Sequence, residues 1–275
     1  MDRSDQEPTP EPRQTGADAR AVRAGAEHFY DSLAAAYHLI FEDWNASIAR
    51  QAAILDPLIT RKLRRESTRL HDCACGIGTQ AIGFAELGYK VSGSDLSLAA
   101  VQRAASEGAK RGLTVEFAVS DMTNLAEYPA GSFDVLGAFD NALPHLSEAQ
   151  VIATASSFRR VLRSNGLFIA SIRDYDTLIQ TRPNFQGPSY FGAQNSRRIV
   201  HQVWDWVDAD SYYVHLYISL QREAYWDVLH FCSQYRCLLR AELTDALHSA
   251  GFMDVEWLMP SATGYYQPIV VAHVP

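Results

Sequence analysis

The sequence predicts an α/β protein: a doubly wound, mostly parallel sheet with an N-terminal helical cap and an antiparallel β insertion that acts as a lid. Three observations predict this. Short apolar runs alternate with helix-like segments between residues 64 and 175. The stretch HDCACGIGTQ (71–80) places two glycines between a strand and a helix. Beyond this region the alternation stops, and aromatic runs flank a polar turn instead.

Length and charge limit the classes of partner. The chain has 275 residues, 47% of them hydrophobic, and a formal net charge of −8. That charge predicts no broad basic surface for nucleic acid. No apolar run approaches the ~20 residues that span a bilayer. The acidic, proline-rich N-terminus lacks the apolar core of a signal peptide. We expect a cytoplasmic protein that binds a small molecule, with neither a nucleic-acid nor a membrane partner, and we leave the oligomeric state open.

The first segments follow from composition and spacing. Residues 1–25 are predicted to be a disordered tail, and residues 26–275 a single domain. Apolar residues recur at helical spacing over residues 26–63, which predicts a helical cap interrupted near residues 43–45.

The core is predicted to cover residues 64–175 and to alternate strands with helices. Gly166 is predicted to end the last of these helices. The predicted strands are TRLHDCA (68–74), YKVSGSD (89–95), LTVEFAVSD (113–121), SFDVLGAFD (132–140) and LFIASIRD (167–174), and the helices are 79–87, 98–112 and 146–166.

The remaining chain is predicted to contain an insertion and a C-terminal part. Two strand-like, aromatic-rich runs surround the polar turn at residues 208–211, which predicts a hairpin within an insertion over residues 190–235. Residues 236–275 then form the last helix, LLRAELTDALHSAGF, and the strands DVEWLMP and YQPIVVAHVP.

The glycine turn predicts a nucleoside-containing ligand. Gly76, Gly78 and Ala81 fit the pattern G-x-G-x-x-G/A, and Asp95 follows at the distance of a ribose ligand. The alternative is a tight turn that binds nothing. Asp72 would repel a pyrophosphate at the following helix N-terminus, unless its carboxylate only caps backbone N–H groups. A ligand with a ribose and a positive charge fits better, and S-adenosylmethionine (SAM) has both.

The ends of strands three and four extend this site. Asp121 can reach the adenine amino group and Met122 can cover the adenine face, or Asp121 is only a loop carboxylate. The segment FDNALPHL follows strand four at the carboxyl edge, where doubly wound sheets bind ligands. Cys73 and Cys75 alternate along a strand end, so we interpret them as buried thiols and predict no metal site.

Four stretches together resemble the class I SAM-dependent methyltransferases over roughly residues 65–175: DCACGIGTQ, GSDLS, SDM and FDVLGAFDNALPHL. The resemblance implies a Rossmann-like fold, SAM as the methyl donor and S-adenosylhomocysteine as the product. Ala74 stands where many members carry the first glycine of the loop. The implied cofactor contacts are Asp72, Ala74, Cys75, Gly76, Gly78, Asp95, Leu96, Asp121, Met122 and Phe139.

A narrower resemblance concerns the acceptor. DNALPHL (140–146) and IRDYD (172–176) are similar to stretches of the glycine N-methyltransferases that hold the amino acid substrate. The N-terminal FYDSLAAAYHLIFEDW is similar to their SAM-covering segment, although its spacing to the following arginine departs from the pattern. The resemblance is thin over residues 180–275. It implies Asn141, Arg173, Tyr175 and Tyr235 as substrate-binding residues, and Tyr37, Trp44 and Arg50 as residues that cover the cofactor.

The residues themselves support part of this assignment. Arg173 lies at the carboxyl end of a predicted strand, where a guanidinium can hold a carboxylate with two hydrogen bonds; the alternative is an ion pair with Asp174 or Asp140. For Asn141 the alternative is turn formation. His145 either accepts a proton or bonds to the backbone at a helix start. Asp140 is the other candidate catalytic group, and we assign no base.

The predicted reaction is in-line displacement on the SAM methyl group by a neutral nitrogen, accelerated by orientation and desolvation. The acceptor is then a small, carboxylate-bearing amine similar to glycine or sarcosine. Three alternatives stay open: a heterocyclic or hydroxylated natural product as the acceptor, a non-catalytic SAM-binding protein, and an NAD oxidoreductase. Arg173 distinguishes an amino acid acceptor from the first alternative, since a neutral aromatic acceptor has no carboxylate for the guanidinium to bind.

Overall fold

The computed structural model describes residues 25–275, and the predicted tail lies outside them apart from Gly25. The cap consists of helix α1 at residues 25–33, a 3₁₀ turn at Tyr37–Ile40 and helix α2 at Trp44–Thr60. The predicted interruption near residues 43–45 has a local cause. Asp43 ends the segment between the 3₁₀ turn and α2 and is the N-cap of α2, because its side chain accepts a hydrogen bond from the Ala46 backbone N–H at 3.1 Å.

The central sheet has seven strands, in the order β10-β11-β5-β4-β1-β2-β3. Strands β1 to β5 are parallel, and β11 runs antiparallel to both of its neighbours. The predicted doubly wound, mostly parallel sheet is confirmed. The strands are β1 (Arg69–Asp72), β2 (Lys90–Asp95), β3 (Glu116–Val119), β4 (Phe133–Ala138), β5 (Leu162–Ser171), β10 (Met253–Leu258) and β11 (Ile269–His273).

The chain winds outward from β1 in both directions, so the strand order switches between β1 and β4. Ligands of doubly wound sheets bind at the carboxyl side of such a switch point. No helix within residues 25–275 is long and apolar enough to cross a membrane. The connecting helices are α3 (Thr79–Glu86), α4 (Leu98–Lys110), α5 (Glu148–Val161), α6 (Tyr175–Thr181), α7 (Arg240–Ser249) and α8 (Pro260–Thr263).

One helix boundary differs from the prediction. Helix α5 begins at a capping box between Ser147 and Gln150, but it ends at Val161, five residues before the predicted stop at Gly166. The chain enters β5 directly, because Leu162 and Leu167 already pair with β4. Tertiary pairing therefore overrides the helical spacing of the preceding residues.

The insertion is a four-stranded antiparallel sheet in the order β6-β7-β8-β9, and not only the predicted hairpin. Its inner face packs against α1, where Phe29 and Leu33 meet Leu216 and Ile218 in one buried cluster. The insertion thus packs directly against the cap helix α1. Its strands are β6 (Phe185–Phe191), β7 (Arg198–Trp206), β8 (Ser211–Gln221) and β9 (Trp226–Arg236).

Helices α2 and α3 approach each other closely at Gly83. A Cβ atom on Gly83 would lie 2.8 Å from the Ala52 Cβ and 2.9 Å from the Ile48 carbonyl oxygen. We expect Gly83→Ala to lower the free energy of unfolding by about 1–3 kcal/mol, because the helices must move apart. Gly108→Ala in α4 is the matched control, since its nearest neighbour would lie 3.7 Å away on Phe117.

Urea unfolding of both variants measures the difference. The control should be unchanged or more stable by up to about 1 kcal/mol, since alanine favours helix over glycine. Equal losses in the two variants would contradict close α2–α3 packing as the cause.

Candidate active site

Two connected cavities lie at the carboxyl edge of the central sheet. The first, of about 850 Å³, is formed by the glycine turn and the ends of β2, β3 and β4, and we call it the loop cavity. The second, of about 2230 Å³, opens to solvent between the cap, the insertion and the C-terminal chain, and we call it the outer cleft. Tyr30, Tyr37 and Asp140 line both.

Asp95 fixes the glycine turn. Its carboxylate accepts hydrogen bonds from the backbone N–H groups of Gly76, at 2.8 Å, and Ser97, at 2.9 Å. The carboxylate thereby joins the turn after β1 to the turn after β2. Gly76 and Gly78 have φ values of +51° and +92°, a region that favours glycine. Tyr37 lies over this turn, 3.4 Å from where a Gly76 Cβ would be.

The loop cavity carries negative charge. Its lining includes Glu27, Asp95, Asp121 and Asp140 and, within residues 25–275, no lysine or arginine. Asp72 is fully buried beneath it; one carboxylate oxygen accepts from the Ala74 backbone N–H at 3.4 Å and the other has no partner among the described residues.

Burial raises the pKa of Asp72 to about 8, and it also raises the pKa of Asp95 and Asp140. Asp72 is therefore mostly protonated near pH 7 in the ligand-free protein; the sulfonium or ammonium group of a bound SAM would favour its ionised form, whereas a pyrophosphate would disfavour it. The unpartnered Asp72 oxygen and the acidic lining therefore fit SAM.

Most of the predicted cofactor residues come together here. Asp72 and Gly78 support the cavity without lining it: Asp72 lies beneath the turn, and Gly78 precedes the first residue of α3. The predicted residues that line the loop cavity are Tyr37, Ala74, Cys75, Gly76, Asp95, Leu96, Asp121, Met122 and Phe139.

Trp44 and Arg50 lie elsewhere, which corrects the expectation that they cover the cofactor. The Trp44 indole N–H donates to the Thr79 hydroxyl at 2.9 Å, and its ring packs in an apolar cluster with Ile48 and Ile82. Trp44 therefore joins α2 to α3. Arg50 lines the outer cleft, because the next turn of α2 faces that cleft.

Asp140 and Asn141 form the junction between the two cavities. Both have left-handed backbone conformations, with φ of +55° and +70°. Ser171 at the end of β5 holds them: its hydroxyl accepts from the Asp140 N–H at 2.9 Å and its carbonyl from the Asn141 N–H at 3.1 Å. The Asp140 carboxylate accepts from the side chains of Gln80 at 2.7 Å, Tyr265 at 2.8 Å, and Tyr266.

His145 lies beside this junction. The Tyr30 hydroxyl is 3.1 Å from its Nε2 atom, and the Tyr235 ring is 4.2 Å away between centroids. Burial lowers the pKa of His145 to about 4, so its ring is neutral near pH 7. A group with this pKa is a weak proton acceptor.

Arg173 points into the outer cleft. Its guanidinium donates to the Tyr212 hydroxyl at 3.0 Å and to the Gln202 amide oxygen at 3.2 Å, and lies over the rings of Trp204 and Tyr235 at 4.8 and 5.2 Å. No carboxylate of residues 25–275 forms a salt bridge with it.

The alternative of an ion pair with Asp174 does not hold, because Asp174 pairs with Arg240 at 2.6 Å. Asp140, the other candidate partner, is held by the three donors described above. Arg173 therefore presents a guanidinium to the cleft without a described counter-charge.

Asn141 and Tyr175 build the support behind Arg173. The Asn141 side chain accepts from the Arg173 backbone N–H at 3.0 Å and donates to the Tyr175 hydroxyl at 2.9 Å. Tyr175 is fully buried and lies 3.1 Å from the Tyr212 hydroxyl. The expectation that Tyr175 contacts the substrate is therefore corrected to a supporting position, whereas Asn141 and Tyr235 line the outer cleft.

Sequence reasoning missed five residues of the junction and cleft. Tyr30 and Gln80 lie within quoted stretches, FYDSLAAAYHLIFEDW and HDCACGIGTQ, but their spacing alone gives them no role. Antiparallel pairing of β11 with β5, which places Ile269 opposite Ser171, brings the C-terminal tyrosines to Asp140. No local pattern predicts that long-range pairing. The missed residues are Tyr30, Gln80, Gln202, Tyr265 and Tyr266.

Comparison with known proteins supports a methyltransferase domain in the core of this chain. A family model described as a methyltransferase domain matches residues 71–166. A methyltransferase of Geobacillus sp. (strain WCH70) is 31% identical over 40% of this chain and 44% of its own length. The glycine/sarcosine N-methyltransferase of Halorhodospira halochloris is 27% identical over 50% of each chain. The matches thus span about half the length of these two relatives.

A solved structure shares the fold. The SAM-bound amino pentose methyltransferase of Micromonospora echinaspora, involved in calicheamicin biosynthesis, superposes with a TM-score of 0.65 and 18% identity, covering 88% of this chain and 95% of that one. The predicted fold class is confirmed, and the match to a methyltransferase domain over residues 71–166 agrees with the resemblance.

The raised pKa of Asp72 predicts a pH-dependent stability. Its folded pKa of about 8 lies above the ordinary value of 3.8, so its contribution to stability is present below pH 4 and is lost as the pH rises to 8. Asp72→Asn keeps the shape without ionising. We expect the free energy of unfolding of the variant to exceed that of the wild type increasingly as the pH rises across this window, by on the order of 5 kcal/mol at pH 8.

Urea unfolding of the ligand-free protein at pH 5, 6, 7 and 8 measures this difference. Parallel stability curves for the variant and the wild type would show that Asp72 is ionised in the folded protein, contrary to the argument.

Proposed function

We propose that this chain, whose residues 71–166 match a methyltransferase domain, transfers a methyl group from SAM to the nitrogen of a small amine that bears a carboxylate, as glycine and sarcosine do. One observation carries the choice of acceptor. Arg173 presents an unpaired guanidinium to the cleft that adjoins the loop cavity. A carboxylate is the group that a guanidinium binds best, since two parallel hydrogen bonds form.

Different residues of the chain would bind different parts of SAM. In the loop cavity, Asp95 would hold the ribose hydroxyls and Asp121 and Met122 the adenine. Asp140 at the junction and Asp72 beneath the turn would supply negative charge for the sulfonium and ammonium groups. When bound, SAM supplies a methyl group on a positively charged sulfur that is already activated for displacement. Tyr37, on both cavities, excludes water from the region where they meet.

The acceptor is positioned by its carboxylate. A guanidinium has five N–H donors. Two of those of Arg173 donate to Tyr212 and Gln202, and the remaining donors are left for an incoming carboxylate. Because Asn141 holds the Arg173 backbone, the guanidinium is fixed before the acceptor binds. An amine without a carboxylate leaves this half-buried charge without a counter-charge and is bound more weakly.

The chain contributes little to deprotonation of the amine. His145, with a pKa of about 4, is too weak a base for an ammonium ion. The three donors to Asp140 stabilise its charge and occupy its oxygens. The amine therefore enters in its neutral form or loses its proton to water. Catalysis then rests on alignment of the nitrogen with the methyl group and on desolvation.

The first test concerns the cofactor and the reaction. The full-length chain should bind SAM and S-adenosylhomocysteine in calorimetry and not NAD, because the loop cavity is acidic. With labelled SAM, it should release S-adenosylhomocysteine only when an amine acceptor is present. Binding without turnover of any amine would favour the non-catalytic alternative, and turnover of a phenol or heterocycle alone would favour the natural-product alternative.

The second test concerns Arg173. We expect Arg173→Ala and Arg173→Lys to lower acceptor kcat/KM by about tenfold or more, since charge-assisted hydrogen bonds contribute roughly 1.5–3 kcal/mol. The lysine variant should lose nearly as much as the alanine variant, because a point charge cannot replace the two-bonded contact. SAM affinity should not change.

Arg182→Ala is the matched control. Arg182 also stacks on a tryptophan of the insertion, at 4.3 Å from the Trp206 ring, but it does not line the cleft. Its loss should leave acceptor kcat/KM unchanged. If turnover survives in the Arg173 variants and only stability falls, the carboxylate-bearing acceptor is wrong.

A further inference from the structure

We infer that the acceptor is an α-amino acid with a large apolar side chain, such as leucine or phenylalanine, and not glycine or sarcosine. The inference rests on the proposed function, since it concerns the acceptor of that same site. It follows from the way polar and apolar groups are distributed along the outer cleft.

The polar groups that an amino acid needs are gathered at one place. Arg173 donates hydrogen bonds to both Asn141 and Gln202, and Asn141 directly follows Asp140 at the junction. An acceptor held there has its amine at the loop cavity and its carboxylate on the guanidinium. Glycine would be fully accommodated by these groups.

The cleft continues well past this point, and part of its lining is apolar. Four separate elements contribute: α1, the 3₁₀ turn, α6 and the inserted sheet. Ile40, Leu178 and Val200 are half-buried and keep part of their surface exposed. Phe29, Leu33 and Leu216, which are 5%, 1% and 5% exposed, form the buried apolar layer against which Ile40 and Val200 pack. The apolar wall residues used in this argument are Phe29, Leu33, Ile40, Leu178, Val200 and Leu216.

A glycine acceptor would leave water against this wall during methyl transfer. A leucine or phenylalanine side chain would displace that water and bury apolar surface on both partners, which is favourable. It would also complete the exclusion of solvent from the junction, where the nitrogen attacks. An apolar side chain on the acceptor therefore strengthens its binding in the cleft.

A second arginine on this cleft does not require an acidic side chain. Arg50 is exposed, and its one described hydrogen bond is to the Ser47 hydroxyl at 3.4 Å. Water already solvates this guanidinium, so it gains little from a new anion. Glutamate is nevertheless included in the test as the alternative side chain.

The experiment compares acceptors with the full-length chain and SAM. The probes are glycine, sarcosine, L-leucine, L-phenylalanine, L-glutamate and phenethylamine, and the readout is kcat/KM for S-adenosylhomocysteine release. We expect leucine or phenylalanine to exceed glycine by at least about tenfold, the effect of apolar contacts in a specific pocket. Phenethylamine, which lacks the carboxylate, should be far poorer than phenylalanine.

A matched pair of variants tests the wall itself. Val200→Trp fills the apolar part of the cleft from β7 and should lower kcat/KM for phenylalanine at least about tenfold while leaving glycine unchanged. Val203→Trp is the control. Val203 lies on the same strand as Val200, and because it is three residues further along, it is on the opposite face of the sheet. The control should leave both acceptors unchanged, and SAM affinity should be unchanged in both variants.

The outcomes separate this inference from the proposed function. Turnover that is highest with glycine, sarcosine or glutamate supports methyl transfer to a carboxylate-bearing amine and overturns the apolar side chain. Equal losses for glycine and phenylalanine in Val200→Trp, with SAM binding intact, also overturn it.

Absence of turnover with every amine overturns the proposed function instead. Calorimetry of phenylalanine and glycine with the S-adenosylhomocysteine complex then decides the inference: tighter binding of phenylalanine supports it, and any other result overturns it.

Discussion

The site depends on two consecutive residues, Asp140 and Asn141, that are held in the left-handed backbone region at the end of β4. Such conformations cost on the order of 1–3 kcal/mol each for residues other than glycine, although aspartate and asparagine tolerate them best. Ser171 on β5 offsets this cost with two hydrogen bonds. The turn aims the Asp140 carboxylate at the junction of the cavities and the Asn141 amide at the backbone of Arg173. Both halves of the site are therefore oriented by one short stretch of backbone.

The reversed strand β11 completes this arrangement. Because it runs antiparallel to β5, its first residues lie at the carboxyl edge of the sheet, beside Ser171. The preceding residues then reach the junction: Gln267 accepts a hydrogen bond from the Ser171 hydroxyl, and Tyr265 donates to Asp140. A parallel strand in this place would deliver its N-terminal residues to the opposite edge. The C-terminal chain is thus part of the site and not only of the sheet.

The two cavities differ in charge in a way that separates their ligands. The loop cavity is lined by carboxylates and by no lysine or arginine of residues 25–275, whereas the outer cleft is lined by Arg50 and Arg173 as well as by Asp140 and Asp174. A cation would be attracted to the loop cavity, and a carboxylate would be attracted to the guanidinium of Arg173 in the cleft. Partial burial of both sides makes these interactions stronger than they would be in water. This separation of charge would orient the cofactor and the acceptor before their reacting atoms come into contact.

The sequence by itself determined the features that depend on neighbouring residues: the alternating strands and helices, the glycine turn, the place of Asp95 and the position of Arg173 at a strand end. These are local because periodicity and turn chemistry act over a few residues. It could not place Trp44, Arg50 or Tyr175, since periodicity reports which side of an element is buried and not which neighbour covers it. Only the tertiary structure decided that Trp44 supports α3, that Tyr175 lies behind the cleft and that residues 265–267 reach Asp140. Those contacts join segments far apart in the chain, and long-range packing sets them.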